Sequence, residues 1–264
     1  MDVVITDLDG SLLDHCSYSF EEARPGLNLL KSKHIPLVYC SSKTRAESDY
    51  WRRATENDHP FIVENGGAVV IPTGYFHFAI PSLKIAGGET ILQLGDAYAD
   101  LVETLESAVA ESGCTVRRFY QMTTEEVAQA CDLSVSSAAL AKEREFDEPF
   151  LILDTEKTAT LLTAIERKGK RWTRGGRFYH ILGKNDKASA VVALLDLYRH
   201  GGQVVRSIGI GDGLNDAAFL NIVDIPILIR TSWLHELQAA VPKGKPTKFP
   251  GPLGWSDAML RLFG

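Results

Sequence analysis

Short, unbroken apolar runs set between helix-patterned segments constrain this chain most. Val3-Val4-Ile5 opens it, Ile35 to Cys40 follows, and Phe61-Ile62-Val63 comes third. A strand that is apolar at every position, rather than at every second one, is buried on both faces, as in a parallel sheet covered by helices on each side. Between these runs, Phe20 to Lys33 carries Ala23, Leu27 and Leu30 at helical spacing, and Thr44 to Glu56 is polar enough for an exposed helix. The opening reads βαβαβ, so the expected fold class is a doubly wound α/β domain. The pattern returns late: Lys187 to Arg199 places Val191, Leu194, Leu195 and Tyr198 on one helical face, and Ser207 to Ile210 and Ile225 to Ile229 read as strands. The middle differs. Asp96 to Ser112 is a helix with Leu101, Leu105, Ala108 and Val109 on one side, Thr123 to Ala130 is another, and Phe150 to Leu153 starts a strand that precedes a helix around Leu161 to Ile165. The expected organisation is a core formed by residues 1–81 and 181–264, with residues 82–180 as an inserted α/β domain; a chain of 264 residues has room for both.

Composition excludes several partners. A formal charge of −6 supplies no broad basic face with which to replace the counterions of a nucleic acid or an anionic membrane. No run approaches the ~20 apolar residues of a membrane span, and Met1-Asp2-Val3 lacks the basic start of a signal peptide, so a cytoplasmic location is expected. Cys16, Cys40, Cys114 and Cys131 form no Cys-x-x-Cys pair and read as reduced structural thiols. A small anionic substrate stays open, because a few local cations can serve it.

Asp7 and Asp9 follow the first strand directly and precede Gly10, which permits a sharp turn. Open α/β sheets bind ligands at the carboxyl ends of their strands, where this pair falls. An isolated Asp-x-Asp can instead solvate a loop and cap the next helix, or belong to a metal-using glycosyltransferase, where it usually sits inside the chain. A second acidic cluster shifts the balance: Gly211-Asp212-Gly213-Leu214-Asn215-Asp216 also follows an apolar strand and opens a helix. A hard cation such as Mg²⁺ needs several oxygen ligands, and carboxylates from two adjacent strand ends can supply them.

Asp7-Leu8-Asp9-Gly10-Ser11 together with Gly211 to Asp216 resembles the first and fourth motifs of the haloacid dehalogenase superfamily of phosphotransferases. Tyr39-Cys40-Ser41 then resembles the second motif, with Ser42 as a competing candidate, and Lys187 in Asn185-Asp186-Lys187-Ala188 the third, with Lys184 as its rival. A narrower resemblance, to the mannosyl-3-phosphoglycerate phosphatases, spans nearly the whole chain. It rests on Cys40 to Glu47, Phe61 to Ala68, Thr173 to His180 and the tail Gly251-Pro252-Leu253-Gly254-Trp255. Ser11 stands where Thr is commoner, and Lys184 where Gly is frequent.

The resemblance implies a Mg²⁺-dependent phosphatase in which Asp7 attacks phosphorus and Asp9 serves as general acid and then base. The metal would be held by Asp7, the Asp9 backbone carbonyl and Asp212, with Asn215 or Asp216 orienting ligands or Lys187. Ser41 would donate to the phosphoryl group and Lys187 would neutralise it. A glycerate carboxylate calls for a forked cation, which Arg174 or Arg177 provides; Lys43 adds charge, and Asn65, Gly66 and Gly67 offer polar groups and backbone amides. If Arg177 to Leu182 is extended, His180 shares a face with Phe178, which leaves it as either a substrate contact or a buried structural imidazole. The implied substrate is a phosphorylated sugar-glycerate, mannosyl or glucosyl, and the inserted domain is a cap that excludes water and carries specificity. A phosphomutase on the same scaffold and a non-catalytic ligand-binding module are the alternatives.

Overall fold

The computed structural model describes residues 1–80, 84–86 and 88–264. The expected domain boundary at Ser82 lies outside the described residues. Five strands, in the order Lys245–Pro246, Ile225–Leu228, Arg206–Gly211, Asp2–Thr6 and Leu37–Tyr39, lie side by side and pair in parallel throughout. Alternate residues of Asp2–Thr6 point into different cores. Val4 packs with Leu30, Trp255, Met259 and Phe263, whereas Val3 and Ile5 pack with Val191, Leu194, Leu195, Phe219 and Leu220. This is why the run is apolar at consecutive positions: both faces are covered, and each fully buried aliphatic side chain contributes roughly 1.5–3 kcal/mol.

The helices begin where their caps allow. Phe20 lies just outside a 3₁₀ turn, Glu21–Ala23, and the α-helix proper is Arg24–Ser32, with Pro25 in the first turn where its missing N–H leaves nothing unpaired. Thr44 caps Arg45–Thr55 through a reciprocal box with Glu47, and Asp186 caps Lys187–Tyr198 through one with Ser189.

The run Phe61–Val63 departs from expectation. It meets the parallel sheet only through an isolated bridge, Cys40 to Ile62, and otherwise pairs antiparallel with Ala68–Pro72. The cause is local: Glu64, Asn65 and Gly66 all adopt left-handed backbone, with φ of 48°, 55° and 87°, and reverse the chain. Ala68–Pro72 in turn pairs with Glu89–Gln93, Val69 opposite Leu92. That later strand falls within the range expected for the inserted domain but shares a sheet with the earlier residues.

Beyond it, Tyr98–Ser112 and Thr158–Arg167 pack on a four-stranded antiparallel sheet ordered Val116–Arg118, Asp147–Ile152, Phe178–Leu182, Arg171–Gly175. Leu101, Leu105, Ala108, Phe150, Leu161, Ile165 and Ile181 form its core. The helix Val135–Ala141, built from Ser and Ala, gave no periodic signal in the sequence. Glu148 is buried at the start of this sheet and accepts from Tyr98 Oη at 2.5 Å and Tyr120 N at 2.9 Å. Burial pushes its carboxyl up to about 7 from an ordinary 4.5. Between those pH values the folded protein keeps a proton that the unfolded chain has lost, so stability falls as pH rises through that window. Glu148→Gln should remove this term: relative to the unsubstituted protein, the variant should gain about 3 kcal/mol on going from pH 4.5 to above 7. Urea unfolding at both pH values measures it, and a stability difference independent of pH would refute the assignment.

Candidate active site

Strand register brings the motifs together. Thr6 lies opposite Ile210 on one side and Tyr39 on the other. The residues that follow, Asp7 and Asp9 from one strand, Ser41 from the second and Asp212 from the third, therefore emerge at the same carboxyl edge. Asp7 N donates to Ile210 O at 2.9 Å and Cys40 N to Thr6 O at 2.8 Å, so the alignment persists beyond the strands. Gly10, at φ +78°, turns the chain, and a Cβ there would lie 2.5 Å from Asp212 Oδ2. The absence of a side chain is what lets the Asp212 carboxylate lie against this turn.

Lys187, at the first position of its helix and 1% exposed at the side chain, donates to Asp7 Oδ1 at 2.7 Å and Asp216 Oδ1 at 2.6 Å. Burial alone would favour the neutral amine, but Asp216 and Asp7 outweigh it and hold the group as ammonium, well above its ordinary value. Its rival Lys184 is exposed. Burial pushes Asp7 up to about 7 despite Lys187, with Asp216 and Asp9 adding to the rise. Asp212 is raised as well, by loss of water and then by Asp7 and Asp216. Carboxylate oxygens of Asp7, Asp212 and Asp216 lie within 4.8 Å of one another. Three crowded acidic groups against one ammonium fit a hard divalent cation such as Mg²⁺, which would relieve the repulsion and draw Asp7 and Asp212 to their ionised forms. Asp216 is already engaged: besides Lys187 it accepts from Asp212 N and Gly213 N, each at 3.1 Å. Asn215 lays its Oδ1 against Gly213.

Ser41 is buried and its Oγ accepts from Lys43 N at 3.2 Å, while Ser42 is half-buried and gives its carbonyl to Arg144. The buried Lys43 ammonium lies 2.9 Å from Asp9 Oδ2 and 3.6 Å from Glu47, with the Tyr18 ring 5.0 Å below it. Burial opposes its charge, but Asp9 and Glu47 prevail and raise it. Lys43 thus fixes the Asp9 side chain through this ion pair.

Residues 4–233 match the family model described as haloacid dehalogenase-like hydrolase. Over 264 residues the chain is 39% identical to the glucosyl-3-phosphoglycerate/mannosyl-3-phosphoglycerate phosphatase of Methanococcoides burtonii, covering 99% of this chain and 97% of that one. Over 227 residues it is 38% identical to the mannosyl-3-phosphoglycerate phosphatase of Pyrococcus furiosus, covering 86% and 90%. The chain belongs to the haloacid dehalogenase-like hydrolases, within the mannosyl-3-phosphoglycerate phosphatase family. A solved haloacid dehalogenase-like hydrolase from Bacteroides thetaiotaomicron shares its fold, with a TM-score of 0.72 over 99% of both chains at 15% identity.

In this haloacid dehalogenase-like chain the other residues singled out for substrate turn inward or outward. Asn65 Nδ2 donates to the buried Asp147 Oδ2 at 2.8 Å, and His180 Nδ1 lies 3.0 Å from the same oxygen. Asp147 thereby orients both side chains, through Asn65 Nδ2 and His180 Nδ1. Gly66 and Gly67 are there for close approach: a Cβ on Gly66 would lie 2.1 Å from Asp186 O, and one on Gly67 2.2 Å from Phe146 Cβ. Arg174 and Arg177 are exposed around the turn before Phe178; the first bonds Gly176 O and covers Tyr179, and the second pairs with Asp132 at 3.1 Å. Gly66→Ala should therefore displace the start of the Lys187 helix and impose a left-handed alanine. The left-handed alanine costs roughly 1–3 kcal/mol in thermal unfolding, and Gly74→Ala, at φ +79° with nothing within 4 Å of the new methyl, should show that cost alone. A larger loss of stability in Gly66→Ala, with a loss of activity, therefore measures the close approach to Asp186.

Several supporting residues escaped the sequence reading. Glu64 accepts from the backbone N–H groups of Glu145, Phe146 and Asp147. Arg144 Nη1 donates to Ser42 O at 2.8 Å and Asp147 Oδ1 at 2.7 Å, tying the Ser41 segment to the second antiparallel sheet. Trp255 Nε1 donates to Thr6 Oγ1 at 3.0 Å, and that hydroxyl donates to Asp7 O at 2.7 Å, which steadies the Asp7 main chain from the C-terminal helix. A buried polar side chain must find a partner, but neither periodicity nor spacing says which one.

Proposed function

We propose that the chain is a Mg²⁺-dependent phosphatase hydrolysing glycosyl-3-phosphoglycerates, mannosyl and glucosyl, to the glycosylglycerate and phosphate. The observation that carries this reading is the buried Lys187 ammonium held between Asp7 and Asp216 at the end of the parallel sheet, with Asp212 beside them. Sugar binding alone calls for no such charge arrangement, whereas phosphoryl transfer depends on in-line positioning and charge neutralisation. The relative named for both sugars is 39% identical over nearly the full length, which favours a site open to either.

In this reading an Asp7 carboxylate oxygen attacks phosphorus while the bond to the glycerate oxygen breaks, and Asp9 gives that oxygen its proton. The resulting aspartyl-phosphate is then attacked at phosphorus by water, Asp9 takes the water proton, and phosphate leaves with Asp7 restored. Asp7, the Asp9 carbonyl and Asp212 would hold Mg²⁺, which would supply countercharge to the phosphoryl oxygens. Lys187 adds a second cation and Ser41 a hydrogen-bond donor. The two parts of the chain joined through Arg144, Asp147 and Glu64 would exclude water during the first step. The deciding assay is phosphate release from both glycosyl-3-phosphoglycerates with and without Mg²⁺, in isotopically labelled water. Hydrolysis places solvent oxygen in the phosphate. Phosphate free of solvent oxygen would place the attack of water at carbon instead of phosphorus. Transfer of the phosphoryl group to another hydroxyl without phosphate release would point to a mutase or transferase, and no reaction of either compound would overturn the reading.

A further inference from the structure

Trp233 stands just before the short helix Leu234–Ala240, outside every motif, with 43% of its surface exposed. An indole so exposed gains little of the burial that usually fixes a tryptophan in place. Its Nε1 nevertheless donates to the main-chain carbonyl of Asp212 at 2.9 Å. The rest of that turn is held just as closely. Gly211 O accepts from Ile229 N at 2.9 Å, Asp216 N donates to Gly213 O at 3.0 Å, and the N–H groups of Asp212 and Gly213 both go to Asp216 Oδ2. The Asp212 carboxylate itself has little room, since its Oδ2 lies against Gly10. A shift of the Asp212 Cα on release of its carbonyl would move the carboxylate relative to Gly10 and Asp7.

From this geometry we infer that Trp233 is a positioning residue: its indole N–H sets the Asp212 peptide plane and thereby aims the Asp212 carboxylate at the cation shared with Asp7. The inference rests on the Mg²⁺ site proposed above. Mg²⁺ demands near-octahedral geometry at short range, so a ligand aimed by a fixed outer contact binds it better than one free to swing. Arg230, whose N bonds Thr247 Oγ1 at 3.0 Å and whose Nε bonds Thr247 O at 3.2 Å, anchors the approach to Trp233 beside the sheet edge.

The test is Mg²⁺ binding by calorimetry on the full chain without substrate, comparing the unsubstituted protein, Trp233→Phe and Trp172→Phe. Phenylalanine keeps an aromatic ring and removes the donor. Trp172, on the strand Arg171–Gly175, is likewise an exposed indole, but its N–H goes to Glu166 of the helix Thr158–Arg167, away from the Asp212 turn. Trp233→Phe should raise the Kd for Mg²⁺ about tenfold, with metal-free thermal unfolding unchanged and Trp172→Phe binding normally. Unchanged affinity in Trp233→Phe, an equal loss in Trp172→Phe, or a loss that merely tracks lower metal-free stability would each overturn the inference while leaving the metal site intact. Absence of Mg²⁺ binding by the unsubstituted protein would overturn the metal reading itself, and this inference with it.

Discussion

Replacing Asp7 by Asn should leave a folded protein that releases no measurable phosphate, a loss of at least about 10⁴-fold in kcat. The amide matches the carboxylate in shape but has no anionic oxygen with which to attack phosphorus. Stability should hold for a reason visible in the site. Burial already pushes Asp7 up to about 7, with Asp216 and Asp9 repelling its charge, so a neutral group there relieves as much as it forfeits. Lys187 keeps its other partner, Asp216, at 2.6 Å. Thermal unfolding without Mg²⁺ should therefore show a midpoint equal to or above that of the unsubstituted protein. A phosphoryl adduct should be trapped on the Asp7-bearing peptide of the active protein and be missing from the variant. If Asp7→Asn retained activity within tenfold, the nucleophile would have to be sought elsewhere at the sheet edge.

The legible part of this molecule is the part that repeats a short-range rule. Val3-Val4-Ile5 betrayed a doubly covered strand because both of its faces needed apolar cover. Asp7 and Asp212 were legible because each follows such a strand, and parallel pairing in register then brings strand ends together. The reversal after Phe61–Val63 was hidden because three consecutive left-handed residues, Glu64 among them, are unfavourable locally and persist only through partners some 80 residues away. The shared partner of Asn65 and His180 was hidden for a related reason. Asp147, a buried acid 33 residues from His180 and 82 from Asn65, accepts from Asn65 Nδ2 and lies 3.0 Å from His180 Nδ1, and spacing does not reveal such a pairing. Trp233 carried no sequence signal, since its role depends on one hydrogen bond to a backbone carbonyl 21 residues away.

Lys187→Met should separate the structural from the chemical duty of the buried ammonium. The thioether fills similar space but leaves Asp7 and Asp216 enclosed without their cation, which should cost roughly 3–5 kcal/mol at pH 8. Lowering the pH should recover part of this loss. The orphaned carboxylates have raised proton affinity, the folded variant then binds more protons than the unfolded chain, and its stability falls as pH rises. The unsubstituted protein should show less of that slope, because Lys187 favours the ionised forms. Mg²⁺ should also restore stability to the variant by supplying positive charge near Asp7 and Asp212. Rate should not follow. In the proposed mechanism Lys187 meets the phosphoryl charge, and losing one such positioned cation should lower kcat by about 10²–10³-fold even at saturating Mg²⁺. Thermal unfolding and phosphate release, each titrated with Mg²⁺, make the comparison. Recovery of both together would mean that Lys187 serves only to compensate Asp7 and Asp216, whereas recovery of stability alone places its charge in the transfer step.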